Sequence, residues 1–356
     1  MNTSIVKNYK NLKVLITGST GFKGSWLSFL LSSFGATVIG VGLKEEKESV
    51  LFRELNLHKM IKQYIFDIKN FEKLNKVVRT EKPDIIFHLA AQSVVSTSYQ
   101  FPLRTFNTNI IGSVNLLECY RLNNIPALVF ITSDKCYLNL DLKKSYKETD
   151  KLGGKDNYSS SKASAELIFS SYFNSYFRDR SKFLTVASAR AGNVIGGGDM
   201  KVNRIIPDIV KSIKNNKKLI IRQPNSTRPW QHVMEPLSGY LTLGNMLLNN
   251  KIKSNIYPSW NFGPEKKNCK TVIKLVRKFL SFWPISRKIY LEKKIKMHES
   301  KYLSLNINKS FKELNWKPKL SFDETVKTTV EWYKLYLEKN NLRNKTMSQI
   351  EFFLNK

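Results

Sequence analysis

In the first half of the chain, short continuous apolar runs alternate with longer segments in which apolar residues recur every three or four positions. A buried strand of a parallel sheet has the first pattern, and a helix that covers such a sheet has the second. The alternation predicts a doubly wound parallel α/β sheet of the Rossmann type. The strand candidates are 13–17, 37–41, 63–66, 85–89, 127–132 and 183–189.

Three glycines follow the first predicted strand at the spacing Gly-x-x-Gly-x-x-Gly. Gly18, Gly21 and Gly24 come directly after Thr17, and an amphipathic segment begins at Trp26. Glycine allows a tight turn and a close approach of the backbone to a ligand, and the helix N-terminus that follows offers free N–H groups to a phosphate. Glycine-rich turns also arise for steric reasons alone, but at the first strand of this sheet they favour dinucleotide binding.

The chain is long enough for two lobes, because its 356 residues exceed the length at which a single core stops growing. We expect residues 1–192 to form the dinucleotide-binding domain, with 232–262 returning to it. After Gly192 the pattern loosens, and prolines punctuate short elements. Here a smaller C-terminal substrate lobe is predicted from 193–231 and 263–340, and 341–356 is predicted to be a polar tail with a short helix.

Composition narrows the class of protein. A hydrophobic content of 42% with 12% aromatic residues excludes a disordered chain, and no segment has the ~20 uninterrupted apolar residues of a membrane span. The N-terminus lacks the apolar core of a signal peptide, and the three cysteines have no paired spacing, so we expect a cytoplasmic protein without disulfides or a metal site. The net charge of +31 is scattered and accompanies no nucleic-acid-binding motif, so we expect no nucleic-acid partner.

A tyrosine and a lysine at helical spacing carry the predicted chemistry. Tyr158 and Lys162 are four residues apart, so a helix places the phenol and the ammonium on one face. Base catalysis near neutral pH needs a tyrosine pKa about three units below its usual ~10, which corresponds to roughly 4 kcal/mol. An ammonium ~4 Å away supplies about 4 kcal/mol at an effective dielectric of 20. We therefore expect Lys162 to lower the pKa of Tyr158; a surface Tyr–Lys pair is the alternative.

The glycine spacing and the Tyr-x-x-x-Lys pair together resemble the extended short-chain dehydrogenase/reductase superfamily over about residues 12–335. Four stretches, 20–27, 132–137, 192–199 and 228–233, resemble the CDP-glucose 4,6-dehydratases within it. The second stretch contains Ser133-Asp134-Lys135, where the related dTDP-glucose dehydratases have Thr-Asp-Glu and epimerases lack the acid–base pair. The family usually has Trp and an acidic residue where this chain has Met200 and Asn203, which leaves the affinity and the choice of sugar open.

The resemblance implies a nucleotide-sugar 4,6-dehydratase that uses NAD and converts CDP-D-glucose to CDP-4-dehydro-6-deoxy-D-glucose. Oxidation at C4 makes the C5 hydrogen acidic, water is lost across C5–C6, and the hydride returns to C6. Tyr158 is implied to take the C4 hydroxyl proton, Lys162 to hold the ribose, and Ser133 to bind the C4 oxygen. Lys135 is the implied base for the C5 hydrogen and Asp134 the implied acid for the C6 hydroxyl; a solvated turn pair is the alternative for these two.

Further positions are predicted to contact the two ligands. The predicted cofactor contacts are Gly18, Thr20, Gly21, Phe22, Lys23, Gly24, Asp67, Ile68, Leu89, Ala90, Ala91, Asn109, Tyr158 and Lys162. The predicted substrate contacts are Gln92, Ser93, Asn193, Arg204, Arg228 and His232. Each of three residues has an alternative role. Asp67 would cap a helix and Asn193 would cap a turn, whereas Arg204 would be an ordinary exposed surface residue. His88 is assigned packing only.

Other functions stay open at this point. A 4-epimerase of the same superfamily, or a dehydratase for GDP-mannose or UDP-N-acetylglucosamine, is the nearest alternative, and a non-catalytic dinucleotide-binding sensor is the alternative from another class. No carboxylate directly follows the second predicted strand, where Lys44 could tolerate a 2′-phosphate, so we expect NAD with modest discrimination against NADP. The surplus apolar surface of the helix that contains Lys162 predicts a homodimer, as the resemblance also implies.

Overall fold

The computed structural model describes residues 3–45, 49–283, 289–291 and 300–356. Its strands are β1 (Lys13–Thr17), β2 (Thr37–Gly42), β3 (Lys62–Ile65), β4 (Ile85–His88), β5 (Ala127–Ile131), β6 (Val186–Ala191), β7 (Val194–Ile195), β8 (Leu219–Ile221), β9 (Thr227–Arg228), β10 (Gln231–His232), β11 (Ser259–Phe262), β12 (Lys270–Thr271) and β13 (Ile289–Leu291).

The α-helices are α1 (Thr3–Lys7), α2 (Phe22–Ser33), α3 (Val50–Glu54), α4 (Phe71–Glu81), α5 (Val95–Gln100), α6 (Pro102–Phe106), α7 (Gly112–Leu122), α8 (Asn157–Tyr172), α9 (Ile205–Lys214), α10 (Met234–Leu248), α11 (Val272–Ser281), α12 (Asn308–Leu314), α13 (Phe322–Leu337) and α14 (Leu342–Asn355). A π-helical segment, Asn107–Ile111, joins α6 to α7, and a second one, Phe173–Phe177, extends α8. No helix among the described residues is long and apolar enough to cross a bilayer.

Seven strands form one parallel sheet in the order β11-β6-β5-β4-β1-β2-β3. The order reverses between β1 and β4, and open parallel sheets bind ligands in the crevice at such a point. The glycine turn after β1 meets the turn after β4 there, because a Cβ added to Gly18 (φ +76°) would lie 2.8 Å from the amide nitrogen of Ala90. This topology confirms the predicted Rossmann-type α/β fold.

The sixth predicted strand, 183–189, has wrong bounds, whereas the other five agree with the structure to within one residue at each end. β6 begins at Val186 and continues through Arg190 to Ala191. A charged residue usually marks the end of a buried strand, but the Arg190 guanidinium lies 2.6 Å from the Glu166 carboxylate, and both side chains are buried. The carboxylate of Glu166 therefore compensates the charge of Arg190 inside the buried strand.

Helices cover both faces of the sheet. α4, α7 and α8 pack side by side on one face, and α1, α2 and α10 pack on the other. The apolar residues of α2, including Trp26, Phe29 and Leu30, are fully buried. The segment 232–262 supplies α10 and the edge strand β11, which pairs with β6. The remaining C-terminal elements include α9, the β8–β13 pair and α11, which packs against α9 and α13.

The predicted tail, 341–356, contains the expected helix, but this helix spans nearly the whole segment and docks on the protein. These residues form α14, which packs against α13 and buries Leu342, Ile350 and Phe353. Trp332 of α13 donates a hydrogen bond from its indole N–H to the Thr346 hydroxyl at 3.0 Å. The segment is polar on average, but its apolar residues fall on one helical face, and that face decides whether a helix docks.

Candidate active site

A cleft of about 1040 Å³ lies at the carboxyl ends of the strands. This size is at the upper end of ligand sites, roughly 300–1,000 Å³. The cleft brings together residues that lie far apart in the sequence. Its walls include Phe22, Lys23, Leu89, Ala91, Ser93, Ser133, Asp134, Lys135, Tyr158, Lys162, Asn193, Arg204 and Arg228.

The glycine turn fits the pyrophosphate of a dinucleotide. Gly21 is the N-cap of α2 and provides no side-chain acceptor for the first turn, so the N–H groups at this helix end remain available to a phosphate. A Cβ added to Gly24 would lie 2.0 Å from the carbonyl oxygen of Gly18, so the third glycine is required for the helix to pack on the turn. The Thr20 hydroxyl donates to the carbonyl oxygen of Leu43 at 3.2 Å and fixes the turn against the chain after β2.

A 3₁₀ turn directly after β5 carries the predicted acid and base. The Ser133 hydroxyl donates to Asp134 Oδ1 at 2.9 Å and accepts from the backbone N–H of Lys135 at 3.3 Å. Asp134 is only 3% exposed, which excludes a solvated turn for this carboxyl group. Its other oxygen, Oδ2, has no hydrogen-bond partner among the described residues. Burial raises the pKa of Asp134, and the Lys135 ammonium opposes that rise, so this group holds a proton more readily than an exposed aspartate.

Tyr158 and Lys162 lie on the first turns of α8 and face the same cleft. The N-cap Asp156 accepts a hydrogen bond from the Ser159 N–H at 2.9 Å and fixes the start of this helix. Both side chains are buried, so the surface-pair alternative is wrong. Burial lowers the pKa of Lys162 to about 8, against the opposing effect of the Glu166 carboxylate.

With the charges of the chain alone, the pKa of Tyr158 shifts upward, opposite to the net shift expected from the Tyr-x-x-x-Lys pair. Burial raises the pKa of Tyr158 to about 12, and its hydrogen bond with Ser133 offsets only part of that rise. The argument from the sequence counted the attraction of one ammonium and omitted the cost of placing a phenolate inside the protein. That cost depends on burial, which the i, i+4 spacing does not report.

A buried polar network beneath this face was missing from the sequence predictions. Glu166 lies one turn along α8 from Lys162 and accepts a hydrogen bond from the Thr132 hydroxyl at the end of β5. Its second oxygen accepts from the Ser188 hydroxyl at 3.0 Å and from Arg190 at 2.6 Å. The network thereby joins α8 to β5 and β6. The sequence signal for this network was the position of Glu166, four residues after Lys162 and so on the same face of the helix.

Arg204 crosses the cleft between two of its walls. Its guanidinium donates to Asp199 Oδ2 at 2.8 Å and to the Ser93 hydroxyl at 2.7 Å. Arg228 is almost fully buried and lines the same cleft, where its positive charge lowers the pKa of Asp134 in part. Guanidinium groups bind phosphate oxygens well, so Arg204 and Arg228 stay predicted substrate contacts.

Comparison with known proteins agrees with this arrangement. Residues 15–329 match the family model described as GDP-mannose 4,6 dehydratase. The chain belongs to this family. It is 43% identical to the CDP-glucose 4,6-dehydratase of Salmonella typhimurium over 338 residues, which cover 94% of this chain and 94% of that relative. The predicted class is therefore confirmed: the protein is a nucleotide-sugar 4,6-dehydratase, a hydro-lyase.

Solved structures agree with the family assignment. The dTDP-glucose 4,6-dehydratase of Bacillus anthracis, solved in complex with NAD, superposes with a TM-score of 0.76 at 25% identity over 92% of this chain and 98% of that chain. An epimerase from Methanothermobacter thermautotrophicus has a TM-score of 0.82 at 24% identity over 96% and 97% of the two chains, which shows the fold alone. The predicted cofactor, NAD, is confirmed at the level of the family.

One predicted substrate contact of this dehydratase is wrong. His232 is 1% exposed and lies edge-on to Trp26, with the ring centroids 5.8 Å apart, away from the cleft walls. Burial lowers the pKa of His232 to about 3, so the ring is neutral. The motif that contains it still serves the site, because Arg228 and Trp230 line the cleft.

Several predicted contacts pack against the protein itself. Asp67 accepts a hydrogen bond from the Lys69 N–H at 3.0 Å, and Asn70 is the N-cap of α4, so the alternative that Asp67 caps this helix is wrong. Ile68 packs on Gly112, where an added Cβ would lie 2.4 Å from the Ile68 Cδ1. Neither Asp67 nor Ile68 is among the residues that line the cleft, so their adenine contact stays a prediction.

Asn109 and Gln92 support the turn after β4 from behind. Asn109 Oδ1 accepts from the Gln92 N–H at 2.8 Å, and its Nδ2 donates to the Ser161 hydroxyl of α8 at 2.8 Å. The side chain of Gln92 donates to the Thr105 hydroxyl at 2.8 Å. Ala90 of the same turn packs against Gly18. These residues hold the turn against the catalytic helix, and the neighbouring Ala91 and Ser93 line the cleft.

The two departures from the family pattern have different surroundings. Met200 is buried in the hydrophobic core, so its side chain contributes packing. Asn203 has a left-handed backbone (φ +62°), lines the cleft, and donates to the Ser96 hydroxyl at 2.9 Å. Of the two positions, only 203 can therefore bear directly on the choice of substrate.

The far end of the cleft was also missing from the sequence predictions. Lys217, Lys218 and Arg222 line it beside β8, and Tyr290 lines it from β13, with the Lys218 ammonium 5.1 Å from the centre of the Tyr290 ring. The two strands pair although about 70 residues separate them in the sequence. The local signal was the pair Lys217-Lys218 before a short run of β-forming residues. Only the pairing of β8 with β13 brings Tyr290 beside this lysine pair.

Proposed function

We propose that this dehydratase acts on CDP-D-glucose and forms CDP-4-dehydro-6-deoxy-D-glucose. The observation that carries the proposal is the buried acid Asp134, which adjoins Ser133 and Lys135 in the same cleft as Tyr158 and Lys162. The identity of 43% to a CDP-glucose 4,6-dehydratase supports the choice of nucleotide and sugar. The two cleft arginines support a diphosphate-containing substrate.

The first step needs a base at the C4 hydroxyl. When bound, NAD supplies the hydride chemistry, taking a hydride from C4 and later returning it at C6. Tyr158 removes the proton of the C4 hydroxyl, and the Ser133 hydroxyl, which lines the same cleft, holds the C4 oxygen. The Glu166 carboxylate raises the pKa of Lys162 against the effect of burial, and the Lys162 ammonium orients the ribose.

The second step removes water across C5–C6. The ketone at C4 acidifies the C5 hydrogen. Lys135 takes that proton as a neutral amine, so its ammonium, the form that lowers the pKa of Asp134, first releases a proton to solvent. Asp134 donates its proton to the C6 hydroxyl, which leaves as water. Among the residues that the structure describes, Oδ2 of Asp134 has no hydrogen-bond partner, and this and the raised pKa of the carboxyl group support its role as the acid.

The proton balance closes within the cleft. The ammonium of Lys135 returns its proton to C5 when the hydride reaches C6, so this residue ends neutral. At the end of the cycle Tyr158 carries the proton of the C4 hydroxyl, and Asp134 is a carboxylate because it gave its proton to the departing water. Solvent returns both to their starting states, and the net change is the loss of one water molecule from the sugar.

A 4-epimerase is the second candidate, and its fold is the same. Such an enzyme needs a base at C4 and no acid at C6, so Asp134 and Lys135 would have no task. A non-catalytic sensor would have no task for Ser133, Tyr158 or Lys162 either. The buried acid of the 133–135 turn therefore favours the dehydratase over both alternatives.

Incubation with a panel of nucleotide hexoses tests this proposal. The panel contains CDP-glucose, dTDP-glucose, GDP-mannose and UDP-N-acetylglucosamine, and NMR identifies the products. We expect a 4-keto-6-deoxy sugar from CDP-glucose at the highest rate, and no product with the Tyr158→Phe variant. A preferred sugar other than CDP-glucose would refute the choice of substrate but keep the class.

We also propose that the enzyme is a homodimer. The helices α6 to α8 expose large apolar side chains on one region of the surface, at Leu103 (76% exposed), Ile111 (47%) and Leu167 (58%). Contiguous apolar surface of this kind is covered in stable proteins. Sedimentation at micromolar concentration tests the dimer, and a monomer under these conditions would refute it.

The location and the cofactor preference complete the proposal. We infer a cytoplasmic enzyme because the described cysteines, Cys119, Cys136 and Cys269, are free thiols, as is usual in a reducing compartment. Lys44 is exposed after β2, and the residue directly after this strand is Leu43 and not a carboxylate, so NAD is favoured over NADP only modestly. Cell fractionation tests the first inference, and a titration showing NADP tighter by about tenfold would refute the second.

A further inference from the structure

A tyrosine just after the 133–135 turn is anchored in the core of the protein. Tyr137 lies two positions beyond this turn and is 1% exposed. Its hydroxyl donates to Asn261 Oδ1 at 2.7 Å and accepts from Arg190 Nη1 at 2.9 Å. Arg190 belongs to β6 and Asn261 to β11, so the end of the turn is tied to the two strands that lie beyond β5 in the sheet.

The side chain of Asn261 is itself fixed in the orientation that accepts this hydroxyl. Its Nδ2 donates to the carbonyl oxygens of Tyr146 at 2.9 Å and Asn306 at 3.1 Å, which leaves Oδ1 for Tyr137. The backbone N–H of Asn261 donates to Glu148 Oε1 at 2.9 Å. A buried polar network whose members are hydrogen-bonded in this way is rigid and holds one arrangement.

The other end of the 133–135 turn is connected to the same arginine. The hydroxyl of Thr132, the residue before the turn, donates to the Glu166 carboxylate. Glu166 in turn pairs with Arg190 at 2.6 Å. Arg190 therefore reaches both ends of the turn, through Glu166 on the side of β5 and through Tyr137 on the far side.

The two connections serve different parts of the site. Glu166 belongs to α8, the helix of Tyr158 and Lys162, and its pairing with the arginine does not pass through the Tyr137 hydroxyl. Loss of that hydroxyl leaves α8 held in place and frees only the far end of the turn. A displacement of about 1 Å in a reacting group can lower a rate about 10²-fold, so a loosened turn is costly for the groups that it carries.

We propose that Tyr137 is a positioning residue for the elimination step. Its anchored hydroxyl holds Asp134 and Lys135 against C6 and C5 of the sugar and leaves the oxidation at C4 unaffected. This role rests on the proposed function, in which these two residues act after the hydride has left C4. Tyr137 is not among the residues that line the large cleft, so it acts through the turn and not by contact with the sugar.

The partition between oxidation and elimination tests the proposal in the Tyr137→Phe variant. The substrate is the nucleotide hexose that the wild-type enzyme dehydrates fastest. Stopped-flow absorbance follows the formation of NADH, and NMR in deuterium oxide follows the product and the exchange at C5. We expect NADH to form at the wild-type rate and to accumulate, whereas product formation and exchange at C5 fall about tenfold, a loss within the range that misplacement causes.

Tyr146→Phe is the matched control. Tyr146 is also 1% exposed, and its ring stacks on that of Tyr137 with the centroids 5.3 Å apart. Its hydroxyl donates to Asn139 Oδ1 at 3.2 Å and accepts from the Leu140 N–H at 3.4 Å. This variant removes the hydroxyl of a buried tyrosine from the same ring stack but leaves the anchor of Tyr137 intact. Both rates should therefore keep their wild-type ratio.

The ratio of the two rates decides the outcome. An unchanged ratio in Tyr137→Phe would overturn the proposal, whether both rates fall together or neither falls. A purely structural role lowers the amount of active enzyme, which affects both rates equally and cancels in the ratio. A lower ratio of elimination to oxidation, absent from Tyr146→Phe, supports the positioning role.

Two precautions keep this test separate from that of the proposed function. Thermal unfolding checks that each variant is folded, and Asn261→Ser, which removes the acceptor of the Tyr137 hydroxyl, replaces Tyr137→Phe if the latter is not. A wild-type protein that dehydrates no sugar of the panel would refute the proposed function and this role with it. Dehydration by the wild type with an unchanged ratio in the variant would refute the role of Tyr137 alone.

Discussion

The carboxylate of Glu166 and the guanidinium of Arg190 form an ion pair of 2.6 Å that is buried from solvent beneath the catalytic face of α8. Glu166 also accepts a hydrogen bond from Thr132, the residue before Ser133. Through these contacts one carboxylate fixes the end of β5 against the helix that carries Lys162. It also keeps the pKa of Lys162 from falling as far as burial alone would bring it.

Replacing Glu166 by Gln should destabilise the protein and change its pH profile. The loss leaves the buried Arg190 guanidinium with its hydrogen bonds to Tyr137 and to the Glu148 carbonyl oxygen but without the opposite charge of Glu166. Breaking a buried ion pair in this way typically costs about 3–5 kcal/mol in the free energy of unfolding. The substitution also removes the carboxylate that raises the pKa of Lys162, so Lys162 loses its proton at a lower pH than in the wild-type protein. As pH rises, the activity of the variant should therefore decline earlier than that of the wild type. Urea unfolding and a kcat–pH profile measure the two effects.

The matched control for this variant is Glu118→Gln. Glu118 pairs with Arg121 at the same distance of 2.6 Å, but both side chains are partly exposed. Such a pair contributes about 0–1 kcal/mol. Equal destabilisation by the two variants, with an unchanged pH profile for Glu166→Gln, would refute the role of the buried pair.

Lys135→Met should separate oxidation from elimination. Without the amine, the C5 proton stays in place, although Tyr158 still removes the C4 hydroxyl proton. NADH should therefore accumulate in part when substrate is added, while C5 fails to exchange with deuterium from the solvent. Loss of a general base typically lowers the rate about 10²–10⁴-fold. Persistent exchange at C5 at the wild-type rate would show that Lys135 only positions Asp134.

Asp134→Asn should interrupt the reaction one step later. The amide cannot protonate the C6 hydroxyl, so water is not lost, but Lys135 remains able to remove the C5 proton. We therefore expect the hydrogen at C5 to exchange with deuterium from the solvent although no product forms. Mass spectrometry of the recovered substrate measures this exchange. Normal product formation by this variant would remove Asp134 from the role of acid.

Glu235 should make the stability of the fold depend on pH. Burial raises the pKa of Glu235 from 4.5 to about 7, although its Oε1 accepts from the backbone N–H groups of Lys319 and Leu320. The folded state then binds more protons than the unfolded state between these pKa values, so the free energy of unfolding falls as pH rises through this range.

Glu235→Gln keeps the acceptor for both N–H groups and removes the titration. Relative to this variant, the wild-type protein should lose up to about 3 kcal/mol between pH 4.5 and pH 7. Urea unfolding at the two ends of the range measures the difference. Parallel stability profiles for the two proteins would contradict the shifted pKa.

Local patterns were sufficient to predict the central part of this enzyme. The strands β1 to β5, the glycine turn and the Tyr158–Lys162 pair each depend on residues close together in the sequence. The turn at Gly18 follows from the backbone freedom of glycine, and the shared face of α8 follows from the i, i+4 spacing of a helix. Both are local properties that do not depend on distant residues. The fold class and the main residues of the site could therefore be predicted.

Burial and long-range pairing account for the errors. His232 lies within a motif that serves the cleft, but its own ring faces the core beside Trp26. The pKa of Tyr158 depends on desolvation, and the length of β6 depends on the distant Glu166. The pairing of β8 with β13 likewise has no local signature. None of these features can be read from the spacing of residues along one segment.

The fate of the C4 hydrogen tests the proposed reaction most directly. CDP-glucose carrying deuterium at C4 is incubated with the enzyme and NAD⁺ in ordinary water, and the product is examined by NMR and mass spectrometry. The proposed reaction predicts CDP-4-dehydro-6-deoxy-D-glucose with the deuterium at C6. Recovery of CDP-galactose with the deuterium still at C4 would contradict it, because that product requires a 4-epimerase.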